Sequence, residues 1–73
     1  MEFMLRCASW GSAKAYYKEA SKFIVRTELN EYDEEELIIE INTLEELMEL
    51  KENVQAPLIL KNDRITIYDD YNE

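Results

Sequence analysis

The chain has 73 residues, with 8 Lys and Arg against 17 Asp and Glu and no His, giving a formal net charge of −9. That length allows one domain at most, and no apolar run approaches the roughly 18 residues of a membrane span, yet 47% hydrophobic residues suffice for a core. The absence of His removes the commonest neutral-pH base and zinc ligand, one Gly excludes a glycine-rich phosphate loop, and one Cys excludes an internal disulfide.

In chain order, Phe3, Leu5 and Cys7 alternate with Met4 and Arg6, the pattern of a strand. Ser9 to Ser12 break it, and either serine could cap a helix. Ala13, Tyr16, Tyr17 and Ala20 then recur at helical spacing, with Lys14, Lys18 and Lys22 on a different face. From Phe23 the period changes: Phe23, Val25, Thr27 and Leu29 alternate with Ile24, Arg26 and Glu28 in a second strand. A polar loop over residues 30–35 leads to a third strand, in which Leu37, Ile39 and Ile41 share one side, so the pair reads as an antiparallel hairpin.

Thr43-Leu44-Glu45-Glu46 is a capping box that opens a second helix. Leu44, Leu47, Met48, the stem of Lys51 and Val54 form its expected buried stripe, and the helix should end before Pro57. Residues 57–61 and 64–68 form a tight hairpin about Asn62-Asp63, which pairs Leu60 with Ile65, Leu58 with Ile67 and Ile59 with Thr66. The order β-α-β-β-α-β-β predicts an α+β fold of ferredoxin-like plan with an extra C-terminal hairpin strand: an antiparallel sheet with two helices on one face. Residues 1–68 form the expected single domain, and 69–73 an acidic tail.

The charge is segregated. Residues 1–27 carry five bases and two acids, a net +3, and residues 28–73 carry three bases and fifteen acids, a net −12. Glu45, Glu46, Glu49 and Glu52 lie on or beside one face of the second helix. They span about 10 Å, about one carboxylate per 2.6 Å, a density comparable to the roughly one phosphate per 1.7 Å of duplex axis, or per 3.4 Å on each strand, of DNA. Asp33, Glu34 and Glu35 in the loop and Asp69 and Asp70 in the tail extend this acidity. The same charges would equally serve a solvated face that keeps a small protein soluble. Tyr32 and Trp10, aromatic residues in loops, are candidate interface anchors.

Other constellations carry less. The lysine stripe with Tyr16 and Tyr17 is a weak footprint for nucleic acid, so direct nucleic-acid binding is not expected. Asp33-Glu34-Glu35-Glu36 lacks calcium-loop spacing, and Tyr68-Asp69-Asp70-Tyr71 is not the Tyr-x-Asp-Asp order of polymerases. No metal, cofactor or catalytic residue is expected. Cys7, on the apolar side of its strand, reads as a buried, inert thiol.

The strings Ile39-Glu40-Ile41-Asn42-Thr43-Leu44-Glu45-Glu46-Leu47, Pro57-Leu58-Ile59-Leu60 and Ile65-Thr66-Ile67-Tyr68-Asp69-Asp70-Tyr71 resemble a pattern in small acidic proteins of Gram-positive bacteria, their phages and mobile elements. The resemblance covers under half of the chain and brings no activity or site residues with it. It implies a mobile-element context, in which proteins of this size and charge are often inhibitors of host defence, such as anti-CRISPR and anti-restriction proteins. The resulting expectation is a cytoplasmic, non-catalytic inhibitor whose partner is a basic protein, such as a nucleic-acid-binding defence nuclease, with no membrane role. The alternative is a homo-oligomeric adaptor in which the basic first helix of one copy meets the acidic second helix of another.

Overall fold

The computed structural model describes residues 1–9 and 11–69; Trp10 and residues 70–73 lie outside the described residues. The elements are β1 (Glu2–Cys7), β2 (Gly11–Ser12), a 3-10 turn (Lys14–Tyr16) running into α1 (Tyr17–Ala20), β3 (Ile24–Leu29), β4 (Glu35–Glu40), α2 (Leu44–Val54), β5 (Leu58–Lys61) and β6 (Arg64–Ile67). The chain is thus α+β, with a six-stranded sheet and two helices.

Strands run in the order β3-β4-β1-β6-β5. β1 pairs antiparallel with β4 through Glu2 to Leu5 and with β2 through Arg6 and Cys7, so β2 continues the lane that β4 leaves. On its other side β1 pairs parallel with β6, from Met4↔Arg64 to Cys7↔Ile67. The register puts Phe3, Leu5, Cys7, Leu37, Ile39, Ile65 and Ile67 on one face, all buried. Ala13, Ala20, Phe23, Leu50 and Val54 join the same cluster, so both helices cover that face.

The sheet corrects the expected plan in two respects. It is mixed rather than antiparallel, and the strand after α2 does not sit beside β1. β6 is inserted between β1 and β5, which becomes the edge. The inserted strand buries both inward isoleucines completely, whereas β5 follows Pro57 and ends in Lys61, residues that suit an edge. The hairpin register itself is as expected: Leu58↔Ile67, Ile59↔Thr66, Leu60↔Ile65. Asn62 turns the corner at φ 56, a left-handed conformation that asparagine tolerates.

Other boundaries also shift. The first helix is a 3-10 turn plus a single α-turn, with no side-chain cap at the start of either. Ala13 and Ala20 are buried and Tyr16 half-buried, but Tyr17 faces solvent. In β3 the ladder slips between Ile24 and Arg26, so Val25 is extruded and left exposed with Leu29. A bulge on an edge strand bends it away from further pairing. β4, with neighbours on both sides, buries Leu37, Ile38 and Ile39 in succession.

The α2 cap is present: the Thr43 hydroxyl accepts from Glu46 N–H at 3.1 Å, and Glu46 accepts at 2.7 Å from the Asn42 N–H rather than from that of Thr43. The helix ends at Gln55, in the left-handed region at φ 57, whose N–H donates to the Lys51 carbonyl. The buried stripe differs from expectation. Leu50 and Val54 are buried and Leu47 half-buried, while Leu44 is 71% and Met48 56% exposed. The helix is rotated so that Leu50 faces the sheet. Leu50→Ala should therefore cost about 2–5 kcal/mol, and Leu44→Ala less than about 0.5 kcal/mol, as read from urea denaturation followed by circular dichroism.

Candidate functional site

On α2 each turn advances 3.6 residues, so Glu45 and Glu52 share the ridge opposite Leu50 and Val54, with Glu49 on the side facing α1. Glu45 and Glu52 are exposed and make no ion pair or side-chain hydrogen bond among the described residues. The other two acids of the expected cluster are engaged. Glu46 caps the helix, and Glu49 accepts from Lys22 at 2.7 Å. Of the four charges only that of Glu49 is met by a base among the described residues, while Glu46 stays charged but is tied to the start of the helix.

The β3–β4 loop is built by Asn30, which spacing alone did not single out. Its side-chain oxygen accepts from the N–H groups of Tyr32 and Glu34 at 2.8 and 3.0 Å, an Asx turn. Asp33 takes a positive φ of 62 in that turn. The result presents Tyr32, 75% exposed, together with Asp33 and Glu34. Glu35 is within 3.7 Å of Lys14, and an open hollow of about 470 Å³ runs between them, lined by Ser12, Lys14, Asp33, Glu34 and Glu35. The loop acids and the α2 ridge form separate patches, with no direct bond between them among the described residues.

Glu36 leaves the expected loop cluster. It is 1% exposed on the sheet face opposite the helices, accepts from Asn30 Nδ2 at 2.7 Å and lies 3.5 Å from Arg6 Nη1. Arg6 in turn donates to the Gly11 carbonyl. Gly11 sits at φ 86, a conformation that favours glycine, and a β-carbon there would also come within 3.0 Å of the Arg6 guanidinium, which would have to give slightly. On the same face Arg26 bridges Glu2 and Glu28 at 2.9 and 2.7 Å. Its guanidinium holds the Glu2 carboxyl below the ordinary range.

Asp69 also departs from expectation. It belongs to the folded body rather than to an exposed tail, being 3% exposed. Its carboxylate accepts from the Ser9 N–H and hydroxyl at 3.2 and 2.9 Å and from the Tyr16 hydroxyl at 3.2 Å. Burial raises its pKa, but the bonds from Ser9 and Tyr16 outweigh that, leaving the carboxyl below its ordinary 3.8. It is therefore unavailable to a partner. Asp70 and Trp10, the remaining expected contact residues, lie outside the described residues. Beside Asp69, burial first and the Asp69 charge second push the Cys7 thiol up to about 12. Among the described residues no group of three or more Cys, Asp or Glu is placed to hold a metal ion, and no helix is long and apolar enough to cross a membrane.

Two outcomes follow from this end of the molecule. Cys7 should react with a thiol reagent such as Ellman's at native conditions only as fast as the protein opens, and at the free-thiol rate in denaturant. Asp69→Asn should lower stability at pH 7 by about 1–3 kcal/mol, the cost of weakening buried bonds to a charged acceptor. Because the folded pKa is depressed, that contribution is full above 3.8 and lost as the pH falls through the lower folded value. Urea titrations of both proteins should converge in acid below pH 3.8.

No protein-family model matches the chain, and no match is found among curated proteins or solved structures, so a functional reading has to come from the surface itself.

Proposed function

We propose that this is a non-catalytic binding protein that sets its acidic surface against a basic, nucleic-acid-binding protein and occupies the site of the nucleic acid. The supporting observation is the disposition of uncompensated acids: Glu45 and Glu52 on the α2 ridge, and Glu31 and Asp33 in the β3–β4 loop, all exposed and without ion pairs among the described residues. A rigid helix holds the first pair, and an Asx turn holds the loop. Charges fixed in this way need little ordering on binding, which favours fast, electrostatically steered association. Tyr32, beside the loop acids, supplies an aromatic anchor. Inhibition of a host nuclease, of the anti-CRISPR or anti-restriction kind, in the cytoplasm of a bacterium carrying a phage or mobile element, is the most specific form of this reading.

The homo-oligomeric alternative is less favoured. It relies on the bases of the first 27 residues meeting acids of a second copy. Lys14 and Lys22 instead pair with Glu35 and Glu49 of the same chain.

The test is calorimetric titration against purified basic nucleases at rising salt, with duplex DNA as competitor. We expect binding that weakens steeply with salt, is displaced by DNA, and falls about tenfold or more in a Glu45→Gln/Glu52→Gln/Asp33→Asn variant. Binding indifferent to salt, or undiminished in that variant, would remove the mimicry mechanism.

A further inference from the structure

The two edges of the sheet are unlike. β3 carries a bulge at Val25 and the charges of Arg26 and Glu28. β5 is regular, and three of its four residues are apolar: Leu58 and Leu60 toward the helices and Ile59 on the opposite face. Its backbone has free groups. The Tyr68 N–H donates to the Pro57 carbonyl at 2.8 Å, and the alternation of an antiparallel pair then assigns Ile59 to β6 and turns the N–H and C=O of Leu58 and Leu60 outward. Beside this edge runs an apolar groove of about 240 Å³, walled by Leu44 and Leu47 of α2 and by Leu60, over a floor of Phe3, Ile41 and Ile65. Leu60 is 54% exposed, and Met48 continues the exposed flank of α2.

The charge around this edge says what fits it. The three bases of residues 28–73 are Lys51, Lys61 and Arg64. Lys51 lines a hollow with Glu52 and Pro57 at the start of β5, and Lys61 pairs with Arg64 at its end, beside Asp63 of the turn. All three are exposed and make no ion pair among the described residues. In a chain of net −9, three bases against Glu52 and Asp63 leave the surroundings of the open edge net positive, most of all at the Lys61/Arg64 end. A second copy of the chain fits poorly. A two-fold β5–β5 pairing would run antiparallel and bring the Lys61/Arg64 end of one copy onto the Lys51 end of the other.

We infer that β5 and the Leu44–Leu60 groove form a docking site for an extended, apolar-alternating segment of a partner protein flanked by carboxylates, which adds as a strand to the β5 edge. Strand addition of this kind draws affinity from main-chain bonds and selectivity from alternate side chains. Leu58 and Leu60 supply the bonds, and the groove between Leu44, Leu47 and Leu60 receives the inward side chains. Lys51 at one end and Lys61 with Arg64 at the other meet the flanking acids. Pro57 and Lys61 limit the addition to one short segment. The site meets the acidic ridge only at Glu52, which lines the Lys51 hollow.

Fluorescence anisotropy with a labelled five-residue Val/Thr alternating peptide tests this, carrying two Asp at each end or, in a second version, two Lys. The Asp-flanked peptide should bind about tenfold or more tightly than the Lys-flanked one. Leu60→Pro should weaken it about tenfold while the circular dichroism melt persists, since it removes an outward N–H that β6 does not use. Should Leu60→Pro fail to fold, Lys61→Glu/Arg64→Glu tests the same site by reversing the preference between peptides. A Glu45→Gln/Asp33→Asn variant, which leaves Glu52 beside Lys51 in place, should bind the peptide undiminished, which separates this site from the acidic surface. Equal binding of both peptides, or a folded Leu60→Pro that binds as well as the parent, would overturn the proposal. So would sedimentation showing a dimer that Leu60→Pro abolishes.

Discussion

Every other element of this protein is located by β1. It is paired on both sides, with β4 and β2 on one and β6 on the other, and its Leu5 is wholly buried. A strand paired on both sides has no backbone group left for solvent and gives its inward residues neighbours on either hand. Leu5 accordingly stands between Leu37 and Ile65, and Phe3 beside Ile39. Those contacts define the face that α1 and α2 must cover. They also explain why so short a first helix persists. A single α-turn has almost no stability of its own, but Ala13 and Ala20 are completely buried against that face. Small residues let the turn approach closely.

The charge segregation of the sequence is largely redistributed by this topology. Bases from the first 27 residues come to rest against acids from further along: Lys14 on Glu35, Lys22 on Glu49, Arg6 on Glu36 and Arg26 on Glu28. Pairs at the surface contribute little stability. Their consequence is subtractive, since an acid held by a lysine of its own chain offers less to a partner. Among the described residues the groups left without an ion pair include acids on the α2 ridge and the loop and the three bases around β5, together with Lys18 and Glu19 on α1 and Asp63 in the β5–β6 turn. Summed charge along the chain could not anticipate that arrangement, because three of the four pairs join elements distant in sequence, and only Arg26 and Glu28 are neighbours within one strand.

The parts of the fold legible in sequence are those set by neighbours in the chain. The Thr43 cap needs only Glu46, three residues on, and the β5–β6 register needs only a two-residue loop. Both appear as expected. The parts not legible are set at long range. α2 has apolar residues over much of its circumference, so the stripe Leu44-Leu47-Met48 and the stripe Leu47-Leu50-Val54 are equally helical, and only the position of the sheet selects the second. β5 and β6 alternate equally well, and the choice of which lies beside β1 depends on contacts some sixty residues away, as with Leu5↔Ile65. Asp69 looked like tail for the same reason. Its partners, Ser9 and Tyr16, are 60 and 53 residues distant. Glu36 looked like loop because three acids precede it, yet it belongs to a strand buried on both faces.

The insertion of β6 next to β1 has a further consequence for function. Placing the strand with the two fully buried isoleucines inside leaves β5, with its own apolar residues Leu58, Ile59 and Leu60, as the edge. Rotation of α2 toward Leu50 then turns Leu44 and Met48 to the β5 flank and leaves Glu45 and Glu52 on the outer ridge, about a quarter-turn away at 3.6 residues per turn. One helix thereby serves two surfaces of opposite character. Glu52 alone belongs to both surfaces, since it lines the hollow of Lys51 and Pro57. Additivity holds for residues that share no partner, so substitutions at Glu45 and Leu60 should add, while Glu52 couples the two surfaces that a single capped helix positions.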